Sequence, residues 1–134
     1  MFGSKTKQPP IKSLIAQGTR IQGDLLFTEG LRIDGEVVGN IKAGAESPSI
    51  LIVSEVAKVT GSIEADHVIV NGHVKGPVLA RELLELQPKA HIEGDVSYRS
   101  IEMHQGARIS GQLRPTAADG SEEMPTLKLA ANHR

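Results

Sequence analysis

The residues of this chain best suited to chemistry are five histidines, His67, His73, His91, His104 and His133, and two carboxylate pairs, Asp24/Asp95 and Glu36/Glu64. Histidines brought together can hold a metal, and paired carboxylates can act as acid and base. The local pattern argues for a plainer role. His73 and His91 stand beside aliphatic residues at alternating positions, which puts them on an outward strand face. The carboxylates follow or neighbour glycines at outward positions, where a solvated charge is the ordinary state. No nucleophile–base constellation is legible. Gly35-x-x-x-Gly39 lacks the Lys-Ser/Thr and the helix that a phosphate loop requires. The sequence therefore reads as a chain with no catalytic residue, no metal site and no cofactor.

What must position these residues is a repeat. An aliphatic residue, any residue, glycine, any residue and a second aliphatic recur six times, centred on Gly23, Gly35, Gly61, Gly72, Gly94 and Gly111. Repeats of this kind decide the fold before any local propensity does. A longer unit surrounds three copies. Leu51, Val53, Ala57, Val59, Gly61 and Ile63 align with Leu84, Leu86, Ala90, Ile92, Gly94 and Val96. They align again with Ile101, Met103, Ala107, Ile109, Gly111 and Leu113. The block from Gly35 to Ile41 returns as Gly72 to Val78, 37 residues later, or two units of 17–18.

Within each copy the apolar residues alternate, the mark of a strand with one buried face. The strands are short, rich in Leu, Ile and Val, and nearly free of aromatics, which are Phe2, Phe27 and Tyr98. A narrow coil of stacked parallel strands, a β-helix, fits this better than a sandwich with large core residues. About 100 residues at 17–18 per turn make about six turns, a rod about 30 Å long at the usual ~4.8 Å strand spacing. Ala80–Leu86 has helical propensity, but the alignment makes Leu84 and Leu86 strand residues. Residues 45–49 read as a loop bulging from a corner.

One domain is expected over residues 14–114, with a flexible basic tail at 1–13 and a disordered tail at 115–134. That domain carries 10 basic and 13 acidic residues and the whole chain a net charge of −1, poor material for binding nucleic acid. There is no cysteine, so no disulfide. No stretch approaches the ~18 apolar residues of a membrane span, and no secretory signal core is visible, so a cytoplasmic protein is expected.

The ordered series GTRIQGDL, LRIDGEVVGNIKA, VTGSIEADHVIVNGHVKGPVLA, IEGDV and GARISGQL resembles the bactofilins, bacterial cytoskeletal proteins, from Gly18 to Leu113. The resemblance implies a right-handed parallel β-helix of triangular cross-section. It also implies nucleotide-free filaments made by end-to-end stacking, which scaffold peptidoglycan-modifying or other cell-wall enzymes that shape the cell. The start MFGSKTK is similar to the membrane-targeting tail of many bactofilins, making Met1, Phe2, Lys5, Lys7 and Lys12 the candidate contacts with the anionic inner face of the membrane. The chain departs from the family in having no aromatic residue in its last turn. Ile109 and Leu113 at that end, and Ile21 and Leu25 at the other, are then the candidate polymerisation contacts. Physics points the same way: a β-helix without capping helices leaves strand edges and apolar core open at both ends.

The alternative from another class is an acyltransferase on a left-handed β-helix of hexapeptide repeats. Its aliphatics recur every six residues, whereas the glycine gaps here are 12, 26, 11, 22 and 17. A third reading is a surface scaffold that does not polymerise.

Overall fold

The computed structural model describes residues 9–116, which form fifteen strands and no helix. Every strand pairing is parallel, and the chain winds through six coils with three faces each. The first coil holds β1 (Ile11–Ile15), β2 (Arg20–Gln22) and β3 (Leu25–Phe27). The second holds β4 (Gly30–Ile33), β5 (Glu36–Val38) and β6 (Ile41–Ala43). The third begins with β7 (Ile50–Val53) and β8 (Lys58–Thr60). From there three long strands, β9 (Ile63–Val70), β11 (Val78–Leu86) and β13 (Val96–Met103), bend round the corner that closes one coil and opens the next. They are separated by β10 (His73–Lys75) and β12 (His91–Glu93), and the last coil ends with β14 (Arg108–Ser110) and β15 (Leu113–Pro115). The segment Ala80–Leu86 is strand, as the alignment of Leu84 and Leu86 predicts against its helical propensity.

The core is a set of vertical columns, because parallel in-register pairing sets each inward residue over its equivalent one coil on. One column runs Ile21, Val37, Val59, Val74, Ile92, Ile109. A second runs Leu25, Ile41, Ile63, Val78, Val96, Leu113. A third runs Ile15, Ile33, Val53, Val70, Leu86, Met103. Aliphatic side chains of similar volume stack one on another in these columns and bury the core there without large aromatics.

The repeat resolves into two different corners. Gly23, Gly61, Gly94 and Gly111 turn β2, β8, β12 and β14 into the next strand and share one column with Gly39 and Gly76. At Gly61 φ is +145°, and a Cβ there would overlap the Gly39 carbonyl oxygen, so both the backbone angle and the space demand glycine. Gly35 and Gly72 instead occupy short corners before β5 and β10, where the other coils spend four residues, as in Ser54–Ala57. Residue spacings along the first column are therefore 16, 22, 15, 18 and 17 rather than uniform. The 22-residue step contains the loop expected at 45–49, which lies between β6 and β7. Ser49, fully buried, anchors that loop by exchanging two 3.0 Å hydrogen bonds with Asp66. Arg81 donates to the Ala43 carbonyl at 2.7 Å and pairs with Asp66 at 3.1 Å.

The expected boundaries shift outward at both ends. The coil begins at Ile11, three residues before the expected start, and Pro115 closes β15 instead of lying in a tail. Proline is tolerated there because β15 is an edge strand.

Candidate assembly interface

Strands need a neighbour on each side. In coils two to five they have one. At one end β1, β2 and β3, and at the other β14, β15 and the second half of β13, have a partner on one side only among the described residues. Their outer edges carry backbone donors and acceptors with no ladder partner, beside a cross-section of apolar core. Such an edge is a template for another strand.

All four residues expected to carry assembly sit on these end faces. Ile21 and Ile109 terminate one column and Leu25 and Leu113 terminate another. Ile21, Leu25 and Ile109 are part-buried against the core, and Leu113 is 40% exposed. The structure adds residues that the sequence reading missed. Phe27 joins Ile21 and Leu25 on the first face. Ile101, Ala107 and Met103 join Ile109 and Leu113 on the last. The signal for Ile101, Met103 and Ala107 was present in the alignment of the three long units, which already placed them in the final coil. Tyr98, one coil in, is buried under Pro115 and supplies the aromatic bulk that the last coil lacks. Burial pushes its phenol above the ordinary 10.0.

The last coil is tied down by Asp95. Its carboxylate accepts from the Gln112 amide at 2.9 Å and from Arg114 at 3.2 Å, and these two bonds hold its pKa below 3.8. Asp24 makes the equivalent bond to the Asn40 amide, and Asn40 passes it on to the Ser62 amide, at 2.9 and 3.0 Å. Both carboxylates accept backbone hydrogen bonds at the corners of the coil.

Of the candidate membrane residues, Met1, Phe2, Lys5 and Lys7 lie outside the described residues. Lys12 lies in β1 and pairs with Glu29 at 3.1 Å. Among the described residues no helix is long and apolar enough to cross a membrane.

Among the described residues two side-chain groups have the donor types to hold a metal, His73/His91/Glu93 and Glu85/Glu102/His104. In the first, His73 Nε2 lies 2.6 Å from Glu93, and that hydrogen bond lowers the Glu93 pKa below 4.5. A polar groove of about 500 Å³ also opens where the short corner at Asp34 lies between longer neighbours, with Gln17, Glu55 and Asn71 on its walls. The Ser54 hydroxyl beside Asp34, followed by Arg32, holds that carboxyl below 3.8.

Comparison with known proteins adds one match. The family model described as "Bactofilin: Polymer-forming cytoskeletal" covers residues 13–114. No curated protein and no solved structure matches. The matched family is a cytoskeletal one rather than a family of acyltransferases, and the uneven coil lengths do not follow a six-residue period.

Proposed function

The chain belongs to the bactofilin family of polymer-forming cytoskeletal proteins, and on that premise we propose that its coils stack end to end, without nucleotide, into filaments that lie on the cytoplasmic membrane. There they scaffold cell-wall or cell-shape machinery. The observation that carries the reading is the pair of open end faces. Each is a full cross-section of the same three columns, so a second copy continues both the apolar stack and the strand ladder. Burying a half-exposed aliphatic side chain gains roughly 1 kcal/mol at about 25 cal/mol per Å². Several such residues per face, together with satisfied strand edges, are set against an association cost of about 4–15 kcal/mol. Stacking is thus weak per joint and strengthened by repetition.

Membrane attachment rests on the amino-terminal residues. Phe2 contributes roughly 2 kcal/mol on burial and each lysine about 1 kcal/mol near an anionic surface. With Lys12 engaged by Glu29, Phe2, Lys5 and Lys7 sum to about 4 kcal/mol, a dissociation constant of order 1 mM. One subunit then binds poorly, and a filament, carrying many tails, binds by avidity about 10² times better or more.

The test is sedimentation and negative-stain imaging of purified protein in plain buffer. Filaments should form, and ATP or GTP should leave them unchanged. A monodisperse monomer at tens of micromolar would defeat the proposal. Removing Phe2 should release filaments from anionic liposomes without dissolving them.

A further inference from the structure

Halfway along the rod, on the outward side of the face formed by β8, β10, β12 and β14, His73 and His91 occupy the same register position on adjacent coils. Their rings are stacked, 4.8 Å between centroids and 3° from parallel. Glu93 is two residues beyond His91, so it projects from the same face. One ligand atom from each of the three lies within 4.8 Å of the others. We propose that His73, His91 and Glu93 form a binding site for a divalent transition-metal ion of the zinc type, joining the fourth coil to the fifth.

The donor set selects the ion class. Two imidazoles and one carboxylate suit zinc and its neighbours, whereas calcium and magnesium prefer all-oxygen shells. Three protein ligands leave a fourth tetrahedral position for water. Bonds of about 2.1 Å at tetrahedral angles put donor atoms about 3.4 Å apart. The His73–Glu93 contact of 2.6 Å must therefore open slightly as the ring of His91 turns toward them. Side-chain rotation suffices, because the backbone is already held in place. Val74 and Ile92, beneath the site, have no exposed surface, and β10 and β12 are paired on both sides. Lys58 and Arg108, next in register on either side, and Lys75, opposite Glu93, oppose a dication. All three are exposed and long enough to turn away into solvent. They make the site modest in affinity rather than absent. The inference does not depend on filament formation.

The experiment is a calorimetric titration of the full chain with zinc chloride, run on the wild type and on His91→Ala, Glu93→Gln and His104→Ala. One ion per chain is expected in the wild type and in His104→Ala. Affinity should fall at least tenfold in His91→Ala and measurably in Glu93→Gln. A melting temperature that rises with zinc in the wild type and not in His91→Ala is the matching structural readout. Circular dichroism checks that each variant is folded, and Glu93→Gln keeps both rings if the histidine variant is not. No saturable binding by the wild type, unchanged binding by His91→Ala, or loss in His104→Ala alone, which would place the ion at Glu85 and Glu102, each overturn the proposal.

Discussion

Ile92 and Ile109 are the same residue, in the same column, on strands of the same length, yet the first has no exposed surface and the second is only part-buried. The difference is one missing neighbour. Val37, Val59 and Val74 in that column resemble Ile92, and Ile21 at the opposite end resembles Ile109. In a solenoid each coil touches only the coils beside it, so the middle is stabilised from two sides and the ends from one. The interior coils therefore carry the fold, while the terminal coils leave the same apolar chemistry uncovered among the described residues.

A charge placed in the middle should break this contrast most severely. Ile92→Asp buries an unpaired carboxylate and should cost about 4 kcal/mol or more, a large part of a typical domain's 5–15 kcal/mol. Loss of the β-sheet circular dichroism signal checks it. A glycine pair makes the next test. Gly61→Ala meets both a left-handed φ and the Gly39 carbonyl, and should lose about 2–5 kcal/mol. Gly23→Ala has φ +138° but open space beyond it, so only the strain of about 1–3 kcal/mol remains. Urea midpoints of the two variants should differ in that order. Equal losses would mean that the glycine column is set by backbone angle alone.

At the end face the sign of the contrast reverses. Leu113→Arg should change stability by less than about 1 kcal/mol, since the site is 40% exposed. It should nevertheless abolish pelleting of filaments. Long filaments from this variant would show that the β15 end is not a joint. The smallest effect concerns pH. The Asp95 carboxyl is depressed below 3.8 by its bonds to Gln112 and Arg114. A depressed carboxylate stabilises the fold above its ordinary pKa, and that contribution is lost as the pH falls through its folded value. Hydrogen exchange at the Gln112 amide should accelerate as the pH drops below 3.8, relative to its intrinsic rate. The Gly76 amide, bonded to the Glu93 carbonyl in the interior, should show no such step. Asp95→Asn should remove the step at Gln112.

Much of this molecule is legible in its sequence, and the reason is the one-dimensional plan. Alternation specifies the inward face of each strand. Recurrence of Leu84, Leu86, Ile92 and Val96 as Ile101, Met103, Ile109 and Leu113 specifies the register, because parallel stacking sets like over like. The end residues Ile21, Leu25, Ile109 and Leu113 follow from being first and last in their columns. What tertiary structure alone decided is whatever depends on where each coil turns. Six copies of one pattern divide between two corners: at one Gly23, Gly61 and Gly94 have positive φ, and at the other the short connections bring Gly35 and Gly72 against backbone carbonyls of the coil before. The start of the coil at Ile11 also had to be seen, because Lys12 reads as a tail charge until Glu29 is found beside it. So did the meeting of His73 and His91. They are 18 residues apart in a chain whose coils vary in length, and only the closed coil stacks one ring on the other.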